Sequence, residues 1–279
     1  MATAGPTVGS RNGLRALFPR SLLNWREQRF FGRYGEIELH LLKFLCRHDA
    51  DAIDVGADTG TYVHYMLPHA RHVIAYEPLP GSAAALTAKF ARGVAIEAMA
   101  LSNRKGMAEL RVPVIGGIPI PGCATFSPRA AVLYPICKTV RVLTDRLDNR
   151  YQGRVGLLSI QAEGHEQAVL EGAIETLRRS RPRLLIKIDE RLAPGSVERT
   201  RAFFAALNYT GHFVHNNVLK PLERFSVRHM QYAGNLPDLV APLAARERFG
   251  RYICNFLFLP AEEPPATLRQ IAAQLEKRR

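Results

Sequence analysis

The apolar stretch Ala52-Ile53-Asp54-Val55 runs directly into Gly56-Ala57-Asp58-Thr59-Gly60. A second apolar stretch, residues 72–76, ends on Glu77-Pro78, about twenty positions further on, the spacing of a strand, a helix and a strand. Glycines in such a turn let the backbone approach a ligand, and an acid at the next strand end accepts hydrogen bonds from ribose hydroxyls. The two features together constrain the chain to an α/β sheet that holds a nucleoside.

The turn reads D-x-G-x-x-x-G rather than the dinucleotide form G-x-G-x-x-G. A dinucleotide turn receives a pyrophosphate at a helix N-terminus, whereas Asp54 and Asp58 would repel one. Two carboxylates suit a cationic ligand, such as S-adenosylmethionine with its sulfonium and α-amino group. Asp54, Gly56, Ala57, Asp58 and Gly60 are therefore cofactor-binding candidates, with Glu77 at the second strand end. Ala100, Leu101 and Ser102 close the third strand, where an adenine face would lie.

Hydrophobic periodicity predicts seven main strands, at residues 52–55, 72–76, 94–101, 155–160, 183–188, 211–215 and 252–259. Helices are expected over 36–48, 61–67, 82–90, 166–179 and 196–207. A hairpin-like stretch through Gly106 and 110–114 precedes a Gly- and Pro-rich loop, 115–130, which a strand at 138–143 closes. Strands alternating with helices imply an α/β, Rossmann-like fold: a seven-stranded, mostly parallel sheet with helices on both faces. The domain is expected over 36–260, behind a basic, partly disordered extension at 1–35 and before a charged, helical tail at 261–279. The 115–130 loop and the 217–251 connection are expected to line the acceptor pocket.

With 47% hydrophobic and 23% charged residues the chain can bury a substantial core. Four scattered cysteines exclude a zinc ribbon and suit a reducing compartment, so a cytoplasmic location is expected. The formal charge of +13 favours anionic partners. Much of it sits in Arg11, Arg15, Arg20, Arg26, Arg29 and Arg33, opposed by Glu27 and interleaved with Leu and Phe. That segment reads as a leader packed on the domain, a transit peptide, or an amphipathic contact with the inner face of a membrane. No aromatic platform interleaves with the basic residues, which ranks nucleic acid below a small-molecule or glycan acceptor.

The fourth strand runs into Gln161-Ala162-Glu163-Gly164-His165-Glu166, on the edge that faces a substrate in this architecture. Methyl transfer to a hydroxyl needs alignment and a group that takes the proton, so Glu163, His165 and Glu166 are the catalytic candidates. Glu166 reads equally well as a first-turn helix residue favoured by the macrodipole, and His165 as a loop histidine. A zinc site is excluded because H-E-x-x-H needs a second histidine where Val169 stands; no metal is expected. Asp189 and Glu190 either shape the pocket or pair with Lys187 and Arg191, and His212, His215 and Asn216 are further pocket candidates.

Residues 54–60, Ala75-Tyr76-Glu77-Pro78, Ala100-Leu101-Ser102 with Gly106, and Glu163-Gly164-His165-Glu166 with Leu170 and Gly172 resemble the FkbM-type S-adenosylmethionine-dependent methyltransferases. Arg181-Pro182 and Asn255-Phe256-Leu257-Phe258 extend the likeness from about Glu36 to Pro260. The resemblance implies O-methylation of a saccharide or secondary-metabolite hydroxyl, and the basic surface would favour an anionic or lipid-linked acceptor. The family usually reads Lys-Ile-Asp-x-Glu-Gly before the fourth-strand glycine, where this chain has Ser159 and Gln161, and a glutamate where it has Lys187. Gln161 cannot act as a carboxylate base. Those departures motivate a second reading, a cofactor-binding protein without turnover.

Overall fold

The computed structural model describes residues 30–33, 35–90, 93–236 and 252–278. Most of the basic extension and the last part of the 217–251 connection lie outside the described residues. Twelve strands are present among the described residues: β1 (Asp51–Val55), β2 (Val73–Tyr76), β3 (Val94–Glu97), β4 (Ala100–Leu101), β5 (Gly106–Ile115), β6 (Ile118–Pro119), β7 (Cys137–Asp145), β8 (Val155–Ile160), β9 (Arg183–Lys187), β10 (Tyr209–His215), β11 (Val218–Pro221) and β12 (Asn255–Pro260).

Eight of them form one sheet in the order β11-β10-β12-β9-β8-β1-β2-β3. The pairs from β3 through β9 are parallel, while β12 runs antiparallel to both β9 and β10. The eighth strand, β11, is a hairpin partner added to the outer edge of β10. Every residue of β1, β2, β8 and β12 is buried, as expected where both faces of a parallel sheet are covered.

Alternate residues feed two cores. Ile53, Val55, Leu158, Ile160, Leu184 and Ile186 point to one, which also takes Val169, Leu177 and Phe204 from the helices Glu166–Glu171, Ile174–Ser180 and Ser196–Ala206. Ala52, Ala75, Leu157, Leu185 and Leu257 point to the other, covered by Val63, Met66, Leu86, Ile271 and Leu275. The last two belong to the helix Pro265–Glu276, so the C-terminal residues add an apolar stripe to the core as well as surface charge.

Three expected elements divide. The 94–101 strand ends at Glu97, where the Met99 N–H turns back to the Glu97 carbonyl at 2.9 Å. Ala100–Leu101 then joins a second sheet, ordered β4-β7-β5-β6, pairing with Thr144 and Asp145. The 166–179 helix breaks at Gly172, where a Cβ would meet the Ser102 carbonyl oxygen at 1.9 Å. The 36–48 segment is a 3-10 turn, Ile37–His40, followed by the short helix Leu42–Leu45. Inside the 115–130 loop, β6 pairs with the end of β5, and a 3-10 turn at Pro121–Cys123 folds back over the carboxyl ends of β1 and β8. Among the described residues no helix is long and apolar enough to cross a membrane.

Candidate functional site

The turn after β1 is built on backbone geometry that side chains resist. Gly56 has φ +80°, and a Cβ there would lie 2.1 Å from the Gln161 carbonyl oxygen. The Gly56 N–H donates to the Tyr76 carbonyl at 2.9 Å, and the Gln161 N–H to the Val55 carbonyl at 2.9 Å. These bonds draw the ends of β2, β1 and β8 together. Asp58 also sits in the left-handed region, at φ 44°, with its N–H donated to Glu77 Oε2 at 2.9 Å. Glu77 Oε1 accepts from the Leu79 N–H at 2.9 Å. Two main-chain donors thus hold the Glu77 carboxylate at the mouth of β2.

Two cavities open along this edge. The smaller, about 60 Å³, is lined by Tyr76, Glu77, Met99, Ala100, Leu101, Phe126 and His165, among others. The larger, about 480 Å³, is lined by Glu36, Tyr62, Asp54, Lys187, Asp189 and Tyr252, with Ile120, Cys123 and Tyr134 from the insertion. Gly56, Asp58, Gly122, Gln161 and Glu163 line both. Gly122 lies over the junction: a Cβ on it would sit 3.1 Å from Asp58 Oδ2.

Burial outweighs the compensation that the carboxylates of this edge receive. Asp54 is 1% exposed, and its Oδ1 has no hydrogen-bond partner. Burial, only partly offset by the neighbouring Ser159 hydroxyl and reinforced by Glu77, pushes its carboxyl up to about 7. Burial also raises Asp58 and Glu77. Three crowded, desolvated acids form a site complementary to positive charge. One cation within reach is already engaged: Lys187 Nζ lies 2.7 Å from Glu163 Oε1, and that charge keeps the ammonium protonated well above its ordinary range.

The three catalytic candidates separate. Glu163, with φ 46° and its carbonyl capped by the Thr125 hydroxyl, stands at the junction of the cavities. His165 lines the smaller cavity alone, its ring 4.7 Å from that of Phe126 and its Nε2 2.9 Å from Ser102 Oγ. Burial lowers it to about 4, which makes it a weak base at neutral pH, set on the nucleoside side. Glu166 lines neither cavity; it is 3% exposed and accepts the Gly164 N–H at 2.9 Å, a local helix-start contact of the kind expected of a first-turn acid.

Of the cofactor candidates, Ala100 and Leu101 line the smaller cavity and Ala57 the larger. Gly60 starts the helix Thr61–Met66, and Ser102 contacts the site through His165. Asp189 lines the larger cavity while paired with Arg191 and with the Tyr252 hydroxyl, which donates to it at 2.7 Å. Glu190 instead caps the helix Ser196–Ala206 by accepting from the Val197 N–H, and His212, His215 and Asn216 line neither cavity. Sequence reasoning missed the Tyr62 hydroxyl that donates to Glu36, the Gly122 cover and the Phe126 wall. The Gly-Gly and Pro-Gly pairs of the insertion were the signal available for the cover.

No curated protein matches the sequence significantly. Among solved structures, an FkbM methyltransferase from Methylobacillus flagellatus KT aligns with a TM-score of 0.47 at 11% identity, over 75% of this chain and 43% of that one. The chain thus spans less than half the length of that protein. An rRNA methylase from Streptococcus thermophilus aligns at a TM-score of 0.40 and 9% identity, over 81% of this chain and 95% of the other. A precorrin-6y C5,15-methyltransferase from Geobacter metallireducens GS-15 gives 0.40 and 11%, over 81% and 87%. The family model described as the methyltransferase FkbM domain matches residues 54–210, more than half of the chain and all of the edge from Asp54 to Lys187, so the chain belongs to the FkbM methyltransferase family.

Proposed function

We propose that the protein is an S-adenosylmethionine-dependent O-methyltransferase acting on a neutral hydroxyl of a saccharide or secondary metabolite. The observation that carries this reading is the junction of the two cavities, where Asp58, Gln161 and Glu163 face both. The residues fit the cofactor: Asp54 offers a buried oxygen without a partner, and Gly56 leaves room where any Cβ would collide. Glu77 would receive ribose hydroxyls, Met99–Leu101 would flank the base, and Asp54 and Asp58 would balance the positive charge. When bound, the cofactor supplies a methyl group activated by its sulfonium.

Glu163 is the residue best placed to take the acceptor proton, because it borders the larger cavity and Lys187 holds its carboxylate in one orientation. Lys187, kept protonated by that contact, cannot serve as the base itself. The wall of the larger cavity carries Glu36, Asp54, Asp58, Glu163 and Asp189 against Lys187 and Arg191. An acidic chamber inside a basic protein favours a neutral hydroxyl over an anionic group at the reacting end of the acceptor. All four cysteines are free thiols, consistent with a cytoplasmic, reducing location.

A second reading, cofactor binding without turnover, draws on Gln161 and Lys187, one position beyond the paired Ile160 and Ile186, where family members carry acids. Calorimetric titration with S-adenosylmethionine and S-adenosylhomocysteine, beside Glu77→Ala, tests the shared part of both readings. Binding lost in the variant supports it, and absence of binding by the folded wild-type protein overturns it. Transfer of labelled methyl to a panel of glycosides, abolished by Glu163→Gln, separates the enzyme from the binder.

A further inference from the structure

The insertion that bears the second sheet has an outer tip of unusual composition. Among the described residues, five of the seven exposed large hydrophobic side chains lie in it: Met107, Ile118, Val132, Ile136 and Leu143. Three lie toward one end of the second sheet, where Ile118 is 59% exposed, Val132 74% and Ile136 64%. β5 joins them: Ile115 pairs with Ile118 on one side, and the Val114 N–H donates to the Ile136 carbonyl at 2.8 Å on the other. Val132 rides on the short helix Ala130–Leu133 just before.

The segment's own charges have one sign. Residues 110–144 contain Arg111, Arg129, Lys138 and Arg141 and no aspartate or glutamate. Of the flanking acids, Glu109 is exposed and stands across from Arg141 in the strand register, and Asp145 is buried and accepts from Asn149 at 2.8 Å. We propose that this tip docks on an anionic phospholipid surface, with Ile118, Val132 and Ile136 entering the interface and Lys138 and Arg129 at headgroup level. Branched apolar side chains on a segment whose own charges are all cationic, without a stacking platform, fit a lipid surface better than a polynucleotide. Ile120, Cys123 and Tyr134 of the same segment line the larger cavity, so docking would bring that cavity near the membrane and favour a neutral hydroxyl on a lipid-linked acceptor. That last consequence rests on the methyltransferase reading; the docking does not.

The test is co-sedimentation of the full chain with vesicles of phosphatidylglycerol and phosphatidylcholine in equal parts, and of phosphatidylcholine alone. The wild-type protein is expected to bind the anionic vesicles and not the neutral ones. Ile118→Ser/Val132→Ser/Ile136→Ser is expected to weaken binding at least about tenfold, and Lys138→Glu at least about five-fold, with thermal unfolding unchanged. Failure of the wild-type protein to bind, equal binding to neutral vesicles, or equal binding by the triple variant overturns the proposal. Self-association that the triple variant abolishes without vesicles also overturns it, since the patch would then join copies of the chain. Should the triple variant fail to fold, Val132→Trp in a Trp25→Phe background gives an independent reading. Blue-shifted emission quenched by brominated lipid supports docking, and unshifted emission refutes it.

Discussion

Asp54 and Ser159 lie directly opposite one another on β1 and β8, both buried, and neither Asp54 Oδ1 nor Ser159 Oγ finds a partner in good hydrogen-bond geometry. The pairing places a carboxyl beside a short hydroxyl where related chains commonly set a lysine. The residue across from Asp54 carries no charge, so the charge of this strand end is open to a ligand.

A pH dependence follows. The Asp54 carboxyl is raised from 3.8 to about 7, so between those values the folded state holds a proton that the unfolded state has lost. Its cost to stability is absent below the unfolded value, grows as pH rises, and is complete above the folded one. Asp54→Asn is therefore expected to stabilise the protein by roughly 2–4 kcal/mol at pH 8 and by about 1 kcal/mol or less at pH 4. Urea unfolding at both pH values checks this. Because Glu38 and Glu166 are raised by burial as well, the difference between variant and wild type is the quantity to read. The same variant should bind S-adenosylmethionine about tenfold more weakly at pH 8, and equal affinity would remove Asp54 from the cofactor site.

The Glu163–Lys187 contact at 2.7 Å joins side chains that are 13% and 26% exposed. Lys187→Met leaves the glutamate without its counter-charge and should cost about 1–3 kcal/mol, below the figure for a fully dry pair. The exchange Glu163→Lys with Lys187→Glu restores the attraction and should recover most of that stability. Methyl transfer should stay at least about a hundredfold down in the exchanged protein, the usual scale of a lost proton acceptor. Near-normal turnover there would show that position 163 is not the base.

Two glycines should respond in opposite directions to alanine. At Gly56 the added carbon meets backbone at 2.1 Å with φ +80°, so Gly56→Ala should cost about 3 kcal/mol or more and abolish cofactor binding. Gly81, in the helix Pro80–Lys89, has no neighbouring atom within 4 Å of the place a Cβ would take. Gly81→Ala should raise stability by about 0.5 kcal/mol. Differential scanning calorimetry of the pair measures both.

Arg183 ties the end of the helix Leu42–Leu45 to the turn that leads into the C-terminal helix. Its guanidinium donates to the Phe44 carbonyl at 2.7 Å and grips Glu263 through Nη2 at 2.7 Å and Nε at 3.0 Å. Arg183→Met should cost about 3 kcal/mol, and Arg183→Lys should recover less than half, since an ammonium lacks the planar fork. Burial pulls the Glu263 carboxyl upward, but Arg183 and Thr267 more than offset it, leaving it below its ordinary 4.5. That contribution is present above the unfolded value and is lost as pH falls through the folded one. The wild-type protein should therefore lose stability on the acid side of pH 4.5 more steeply than Arg183→Met, as acid titration by circular dichroism would show.

Much of the sheet was legible because β1, β2, β8 and β9 are nearly unbroken apolar runs punctuated by glycine, and only a few connections join such strands. The Asp54 turn was legible for a steric reason: Gly56 and Gly60 stand where a left-handed backbone needs them. The departure of Ala100–Leu101 into the second sheet was not, because Ala98 and Met99 continue the apolar run and the turn between them and Glu97 is made by the backbone alone. The division of labour among Glu163, His165 and Glu166 was hidden as well. Glu163 and Gly164 both take left-handed backbone, at φ 46° and 94°, so Glu163 borders both cavities, His165 the smaller and Glu166 neither, and in the sequence only the glycine hints at this.

The place of β12 between β9 and β10 has a consequence in time. Every other strand of the large sheet precedes it in the chain, so during synthesis β9 waits with one edge bare and the β10–β11 hairpin waits with no neighbour at all. Both edges are templates for wrong partners until residues 255–260 emerge. A chain released before that point carries two unfinished half-sheets, and the arrival of this strand joins them.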